Sequence, residues 1–478
     1  MGMTIDRDFR MLIGGQLVPG AAQLAVENPA TGDIFAAAPD ASPTDLDAAV
    51  AAARAAFPGW RDTPVEARRE AIIALADRLI AEVEPMKRLL TREQGKPHKD
   101  AAEELLGAAS WLKAAASLDI PVTVNEDSAE RYSETRHVPI GVVAAIAPWN
   151  YPLILASFKL GPALLAGNCV ILKPSPFTPL TALKLGELAA DIFPAGVLNV
   201  ISGGDALGPW LTSHAGIDKV SFTGSTATGK KVMAAASDTL KRVTLELGGN
   251  DPAIVMHDVD AEAIAEQIFW AAFGNGGQIC IASKRIYVHE QVYDALRDAL
   301  VAYARTVKVG DGAELGTQIG PVNNSLQYKR VLELIRDARA QGYEFLTGGE
   351  EAPGTGHFIP VTIIDNPPED SRIVQEEQFG PVLPLLKFGD YDEAIARANA
   401  CEYGLGATVW GADEDSAWAL AERIESGNVW VNETRHLSPF VAFAGHKQSG
   451  FGVENGQEGL LEYLLPKTIT RKRAPGSQ

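Results

Sequence analysis

Cysteine is scarce: Cys169, Cys280 and Cys401 are the only three in 478 residues. That is too few and too dispersed for the disulfide framework of a secreted domain, and it points to a reducing, cytoplasmic setting. Neither these cysteines nor the eight scattered histidines form a ligand cluster, so no metal site is expected. Positive charge is also short, with 42 Lys and Arg against 61 Asp and Glu and a net charge of −19. Such a chain repels phosphate backbones and anionic lipid, which argues against nucleic acid or a membrane surface as partner. Long apolar runs are missing too. The uncharged stretch 138–158 could span a bilayer by length, but Pro139, Pro148, Pro152 and Asn150 would break a spanning helix. The opening MGMTIDRDFR lacks the basic and apolar regions of a secretory signal, and Asp6 stands where myristoylation requires Ser or Thr.

What is present is ordinary globular composition, 46% hydrophobic and 22% charged, which excludes a largely disordered chain. At about 150 residues per domain the length predicts two to four domains. Ser42-Pro43-Thr44-Asp45 and Thr63-Pro64-Val65-Glu66 each read as a helix start, with a capping hydroxyl, Pro at the first helical position and an acid at the third. From residue 141 short apolar runs recur every 20–30 residues: 141–147, 169–172, 197–201, 220–222 and 243–247. Helix-compatible segments lie between them, such as 178–190 with Thr178 as its cap. Strands alternating with helices at this interval predict βαβ units and a doubly wound parallel sheet. The pattern resumes at 285–288, 382–386 and 429–431, with a helix from Gln291 to Val307, which predicts a second α/β domain. The polar tail after Leu465 reads as an exposed arm.

Each run of the first series ends in turn-forming or amide residues: PWN, KPS, SGG, TGS and LGG. In an open parallel sheet these carboxyl ends carry the ligand crevice, although strand ends need turn residues in any case. GSTATGKK, residues 224–231, almost matches a P-loop, but Lys231 occupies the place of the metal-holding hydroxyl. A small-residue turn entering a helix remains, suited to phosphate binding and not to nucleotide hydrolysis. Cys280 follows a Gly-Gly pair and two amides in GNGGQIC, where backbone admits a reactant closely and offers N–H donors. Glu246 closes the fifth run, where desolvation would raise its pKa toward that of a general base. Either residue alone favours a structural role. Together with a phosphate loop they favour catalysis.

The motifs PWNYP (148–152), KPSPFTP (173–179), FTGS (222–225), ELGGNDP (246–252), GQIC (277–280) and EEQFGPV (376–382), with ENPATGDIF near the start and KQSGFG near the end, resemble the NAD(P)-dependent aldehyde dehydrogenase superfamily over essentially the whole chain. The 34-residue separation of Glu246 and Cys280 fits the same family. The resemblance implies a Rossmann-like cofactor domain over 1–120 and 138–248, a catalytic α/β domain over 249–447, and a small β-arm for oligomerisation over 121–137 and 448–478. It implies that the Cys280 thiolate attacks the aldehyde, that the Asn150 amide and the Cys280 N–H hold the oxyanion, and that Glu246 activates water to hydrolyse the thioester left after hydride transfer. It also implies cofactor contacts from Trp149, Lys173, Gly224, Ser225, Gly229, Glu377 and Phe379, and a homodimer or homotetramer.

Two departures stand out. Pro176 occupies a place where NAD-preferring relatives often carry Glu, so NADP is expected to be accepted beside NAD. Gly274 replaces a frequent aromatic wall of the substrate pocket. An acylating relative using coenzyme A and a non-catalytic structural protein on the same scaffold are the competing expectations. The presence of Glu246 opposes the first, and intact Cys280, Glu246 and Asn150 oppose the second.

Overall fold

The structure, a computed structural model, describes residues 8–352 and 354–473. The expectations for the first seven residues and the end of the tail lie outside the described residues. The five predicted runs form parallel strands Val142–Ile146, Cys169–Lys173, Leu198–Val200, Lys219–Thr223 and Arg242–Glu246. From Val142–Ile146 the chain moves outward through Cys169–Lys173 to Leu198–Val200, then returns to the other side for Lys219–Thr223 and Arg242–Glu246. That reversal places the topological switch point between Val142–Ile146 and Lys219–Thr223, where an open sheet forms its crevice. The strands are mostly buried, and their apolar side chains join Leu75, Leu105, Leu160 and Leu185 in one core.

A second sheet is built in the same manner. An inner strand, Asp251–Val255, pairs in parallel with Ser283–His289 on one side and Gly406–Trp410 on the other. Thr362–Asp365, Val382–Phe388 and Asn428–Val431 extend it in parallel, and Glu344–Thr347 closes one edge antiparallel. The sequence pattern misses Asp251–Val255 because Pro252 argues against a central strand. A register shift between Asp251 and Pro252 is what accommodates the ring.

A third, three-stranded antiparallel sheet joins Val122–Asp127, Arg131–Pro139 and Leu464–Lys472. The tail is therefore a paired strand, from Leu464 opposite Pro139 to Lys472 opposite Arg131. The segment before it does not join the arm: Gly450–Phe451 pairs with Leu245 and Glu246, and Leu460, Tyr463 and Leu464 enter the first core. No helix of the described residues is long and apolar enough to cross a membrane. The stretch 138–158 instead ends one strand, supplies Val142–Ile146 and enters helix Pro152–Ala166.

The first helix start is as read: Ser42 and Asp45 form a reciprocal capping box at Pro43–Asp62. The second differs. Helix Val65–Ala81 has no side-chain cap, and the Thr63 hydroxyl donates back to the Gly59 carbonyl at 2.8 Å, closing the preceding helix. Thr178 does not cap Leu180–Ala189 either. The buried carboxylate of Glu93 accepts from Leu180 N–H at 2.7 Å and Thr181 N–H at 3.0 Å.

Candidate active site

Two adjoining cavities open at the carboxyl edge of the first sheet. The larger, about 700 Å³, lies over the switch point and is lined by Trp149, Lys173, Pro176, Gly224, Ser225 and Lys231 among others. The smaller, about 240 Å³, is shared with the second sheet and brings together Asn150, Glu246, Cys280, Glu377 and Phe379, with Trp149, Gly224 and Ser225 bordering both. Nine of the ten residues singled out in the sequence thus line this pair of cavities. Gly229 lines neither. A side chain there would place Cβ 2.4 Å from Leu247 Cδ2, so this glycine lets helix Thr226–Ser237 pack closely on the strand end beside Glu246.

Backbone strain shapes the turn before Cys280. Asn275, Gly276 and Gly277 have φ of 49°, 64° and 73°, and a Cβ on Gly277 would lie 2.2 Å from the Gly380 carbonyl oxygen. Close packing of the turn against the 376–380 loop therefore requires glycine at 277, a reason distinct from admitting a reactant. Gln278 ties the turn down: its Nε2 donates to Asn275 O at 2.8 Å, and its Oε1 accepts from Asn323 N–H at 2.9 Å. Asn150 Nδ2 donates to the Gln278 carbonyl at 3.0 Å, which holds the amide beside the cysteine loop.

Asn150 itself is fixed by residues the sequence pattern did not single out. Its carbonyl accepts from the buried Lys96 ammonium at 2.9 Å, and Lys96 pairs with buried Glu104 at 2.5 Å while lying 3.6 Å over the Tyr151 ring. The other Glu104 oxygen accepts from Leu153 N–H at 2.9 Å, in the first turn of Pro152–Ala166. Lys96 and Glu104 lie in helical and loop sequence with no motif around them, so only the fold could reveal them.

Glu246 is buried with no nitrogen or oxygen donor on either carboxyl oxygen, and the Cys280 thiol is the hydrogen-bonding group beside it. Burial pushes its pKa up to about 8, the nearby Glu454 charge adds to this, and Lys159 opposes it. Lys159 and Glu454 form a buried ion pair, and Lys159 also donates to Thr223 Oγ1 at 2.8 Å. Burial likewise holds the Cys280 thiol well above its usual pKa, and the Glu246 charge raises it further. Cys169 is buried in its strand, and its thiol is pushed to about 12 by burial.

At the junction of the cavities, Glu377 accepts from Gly249 N–H at 3.0 Å and faces Lys284 at 3.4 Å. Phe379 sits edge-on to Trp149 at 5.3 Å with φ of 49°, a strained conformation for an aromatic residue. Ser225 caps Thr226–Ser237 by accepting from Thr228 N–H, so the amino end of that helix borders the larger cavity. No group of three or more His, Cys, Asp or Glu among the described residues could hold a metal ion.

A doubly wound sheet with a cleft at its switch point, opening onto a buried thiol and carboxyl, defines the architecture of a dinucleotide-type oxidoreductase. Comparison with known proteins gives the family. The aldehyde dehydrogenase family profile matches residues 18–469. Phenylacetaldehyde dehydrogenase of Pseudomonas fluorescens is 40% identical over 96% of this chain and 95% of its own. Among solved structures, an aldehyde dehydrogenase variant from Bacillus cereus superposes with a TM-score of 0.96 at 36% identity, covering 98% of each chain. Betaine aldehyde dehydrogenase of Staphylococcus aureus, solved with NAD+, superposes with a TM-score of 0.94 at 32% identity, covering 98% of this chain and 96% of that one. The chain belongs to the aldehyde dehydrogenase family.

Proposed function

We propose that this enzyme oxidises an aldehyde to its carboxylic acid with NAD+ and water, through a covalent intermediate on Cys280. The observation that carries the proposal is the meeting of Cys280, Glu246 and Asn150 in one small cavity that opens into a larger cleft. The larger cleft suits a dinucleotide: Ser225 and the helix amino end would meet the pyrophosphate and Lys173 the adenosine ribose, while Glu377 in the smaller cavity would meet the nicotinamide ribose. When bound, NAD+ supplies the two-electron acceptor and a positive ring that favours the thiolate.

Cys280 Sγ bonds to the aldehyde carbon, and the carbonyl oxygen becomes an oxyanion held by Asn150 Nδ2–H and the Cys280 N–H. Oxidation at that carbon leaves a thioester on Cys280. Glu246 then accepts a proton from water as the hydroxyl oxygen bonds to the acyl carbon, and the C–S bond breaks to release the acid. With no nitrogen or oxygen donor on its carboxyl, Glu246 keeps a lone pair to offer that water. The same feature favours hydrolysis over acyl transfer to coenzyme A.

Glu246→Gln tests this. It should give a burst of about one NADH per active site, then turnover slowed by roughly 10²–10⁴-fold, with an acyl adduct on Cys280 in the mass spectrum. Cys280→Ala should show no burst while still binding NAD. Steady turnover in either variant, or a requirement for coenzyme A in the wild type, overturns the scheme. We further propose a cytoplasmic homodimer or homotetramer. Val122, Val124 and Ile469 are exposed on the three-stranded sheet, an apolar surface that a second subunit would cover. Light-scattering mass distinguishes dimer, tetramer and monomer, and the last would overturn this assembly.

A further inference from the structure

Gly274 stands six residues before Cys280, and the space a side chain would fill there is already taken. A Cβ on Gly274 would lie 2.3 Å from Arg435 Nη1 and 3.1 Å from Arg435 Cζ. The guanidinium comes from the loop after strand Asn428–Val431 and is held by a backbone with φ of 55°, a strained value outside glycine. It lies by Tyr151, whose hydroxyl is within electrostatic reach of both Arg435 and Cys280. Tyr151, Cys280, Trp430 and Leu437 all pack against one apolar cluster of Ile279, Ile281, Ala282, Leu405 and Phe443. A cation therefore sits beside the turn that leads into the reacting thiol, in a chain of net charge −19.

That cation has no counter-ion. Its Nε is sealed from solvent without an acceptor, and among the described residues no carboxylate forms an ion pair with it. Asp100 acts on it only at longer range, and burial holds the Asp100 carboxyl above its usual pKa, which weakens it as a partner. Glu104, the other carboxylate within electrostatic reach of Tyr151, is committed to Lys96 and Leu153 N–H. Arg435 is half-buried, with Nε sealed and unmatched, so a ligand acceptor reaching the guanidinium would supply the partner the protein does not. Its planar fork matches a carboxylate with two parallel hydrogen bonds.

We infer that Arg435 sets substrate choice, recognising an aldehyde that carries a carboxylate at the end remote from the carbon attacked by Cys280. This rests on the aldehyde oxidation proposed above and adds the substrate class. A reaction that delivers a semialdehyde must then precede this enzyme, and its product is a dicarboxylate. Recognition places the charged end at Arg435 and the apolar middle against Tyr151 and Leu437.

The test compares glutaric semialdehyde with hexanal, which match in length, using NADH formation by the whole enzyme. The wild type should favour the semialdehyde in kcat/KM by roughly tenfold or more, and Arg435→Gln should lower that ratio by about 10–100-fold, mainly through KM. Should that variant fold poorly, the wild type alone decides: glutarate should compete with the aldehyde at least about tenfold better than hexanoate, since only the former keeps a second charge for Arg435. Equal kcat/KM for the two aldehydes, an equal loss on both in the variant, or equal inhibition by the two acids overturns the inference. Hexanal oxidised without preference for the carboxylate sinks this inference alone. No NADH from any aldehyde sinks the catalytic proposal itself.

Discussion

At the scale of single residues, the site is a competition between burial and charge. Glu246 must be ionised to take a proton from water, yet burial and Glu454 hold its pKa up near 8. The hydrolytic step should therefore accelerate as pH rises through about 8 and level off above it. Stability moves the other way. The folded protein keeps the Glu246 proton between the ordinary carboxylate value of 4.5 and about 8, whereas the unfolded chain has lost it, so this group's contribution falls across that window. Glu454→Gln removes the like charge that raises Glu246, so the ascending limb of the pH profile should move to lower pH. Stopped-flow measurement of deacylation against pH checks this, and a limb that stays or moves up would show that Glu454 does not act on the base. The variant also strips Lys159 of its partner, so it should be less stable by about 3–5 kcal/mol, read separately by denaturant titration.

At the scale of elements, the sequence exposes what is local and hides what is brought in from afar. Apolar runs of the first sheet are legible because its inner strands are buried, and Ser42 with Asp45 is legible because both halves of the cap are three residues apart. Helix Leu180–Ala189 shows the limit. Thr178 looks like its cap, but the donors at its start are met by Glu93, 87 residues earlier in the chain from Leu180. Lys96 and Glu104 are hidden for the same reason: a buried ion pair that anchors Asn150 carries no motif. Arg435 is the sharpest case, because only the fold brings it against Gly274. Glu93→Ala should leave two backbone N–H groups and the Thr181 hydroxyl unmatched in the interior, lowering stability by roughly 2–4 kcal/mol. Since Glu93 lines neither cavity, kcat per folded molecule should hold. A stability within about 0.5 kcal/mol of wild type would mean that water satisfies that helix end.

At the scale of the whole molecule, the excess of acid does not extend into the cofactor cleft. Lys173 and Lys231 line the larger cavity, Asp205 opposes them from its wall, and Pro176 supplies no carboxylate where one would repel a 2′-phosphate. Burial lowers the Lys173 pKa to about 8, with Asp205 and Asp40 opposing that shift, so the ammonium is mostly charged at neutral pH. A phosphate of about −1.5 to −2 charge near such a lysine gains electrostatic energy, and a Glu at 176 would reverse the sign. NADP should therefore be accepted beside NAD within roughly a hundredfold in kcat/KM, about 2.7 kcal/mol. Pro176→Glu should widen the gap in favour of NAD. The tolerance should also narrow as pH rises past about 8, because Lys173 then loses its charge while the 2′-phosphate keeps its own. Measuring kcat/KM for both cofactors across pH, in both proteins, decides the matter: a wild type that rejects NADP by more than about a thousandfold, or a ratio indifferent to the new glutamate, would place the discrimination elsewhere in the cleft.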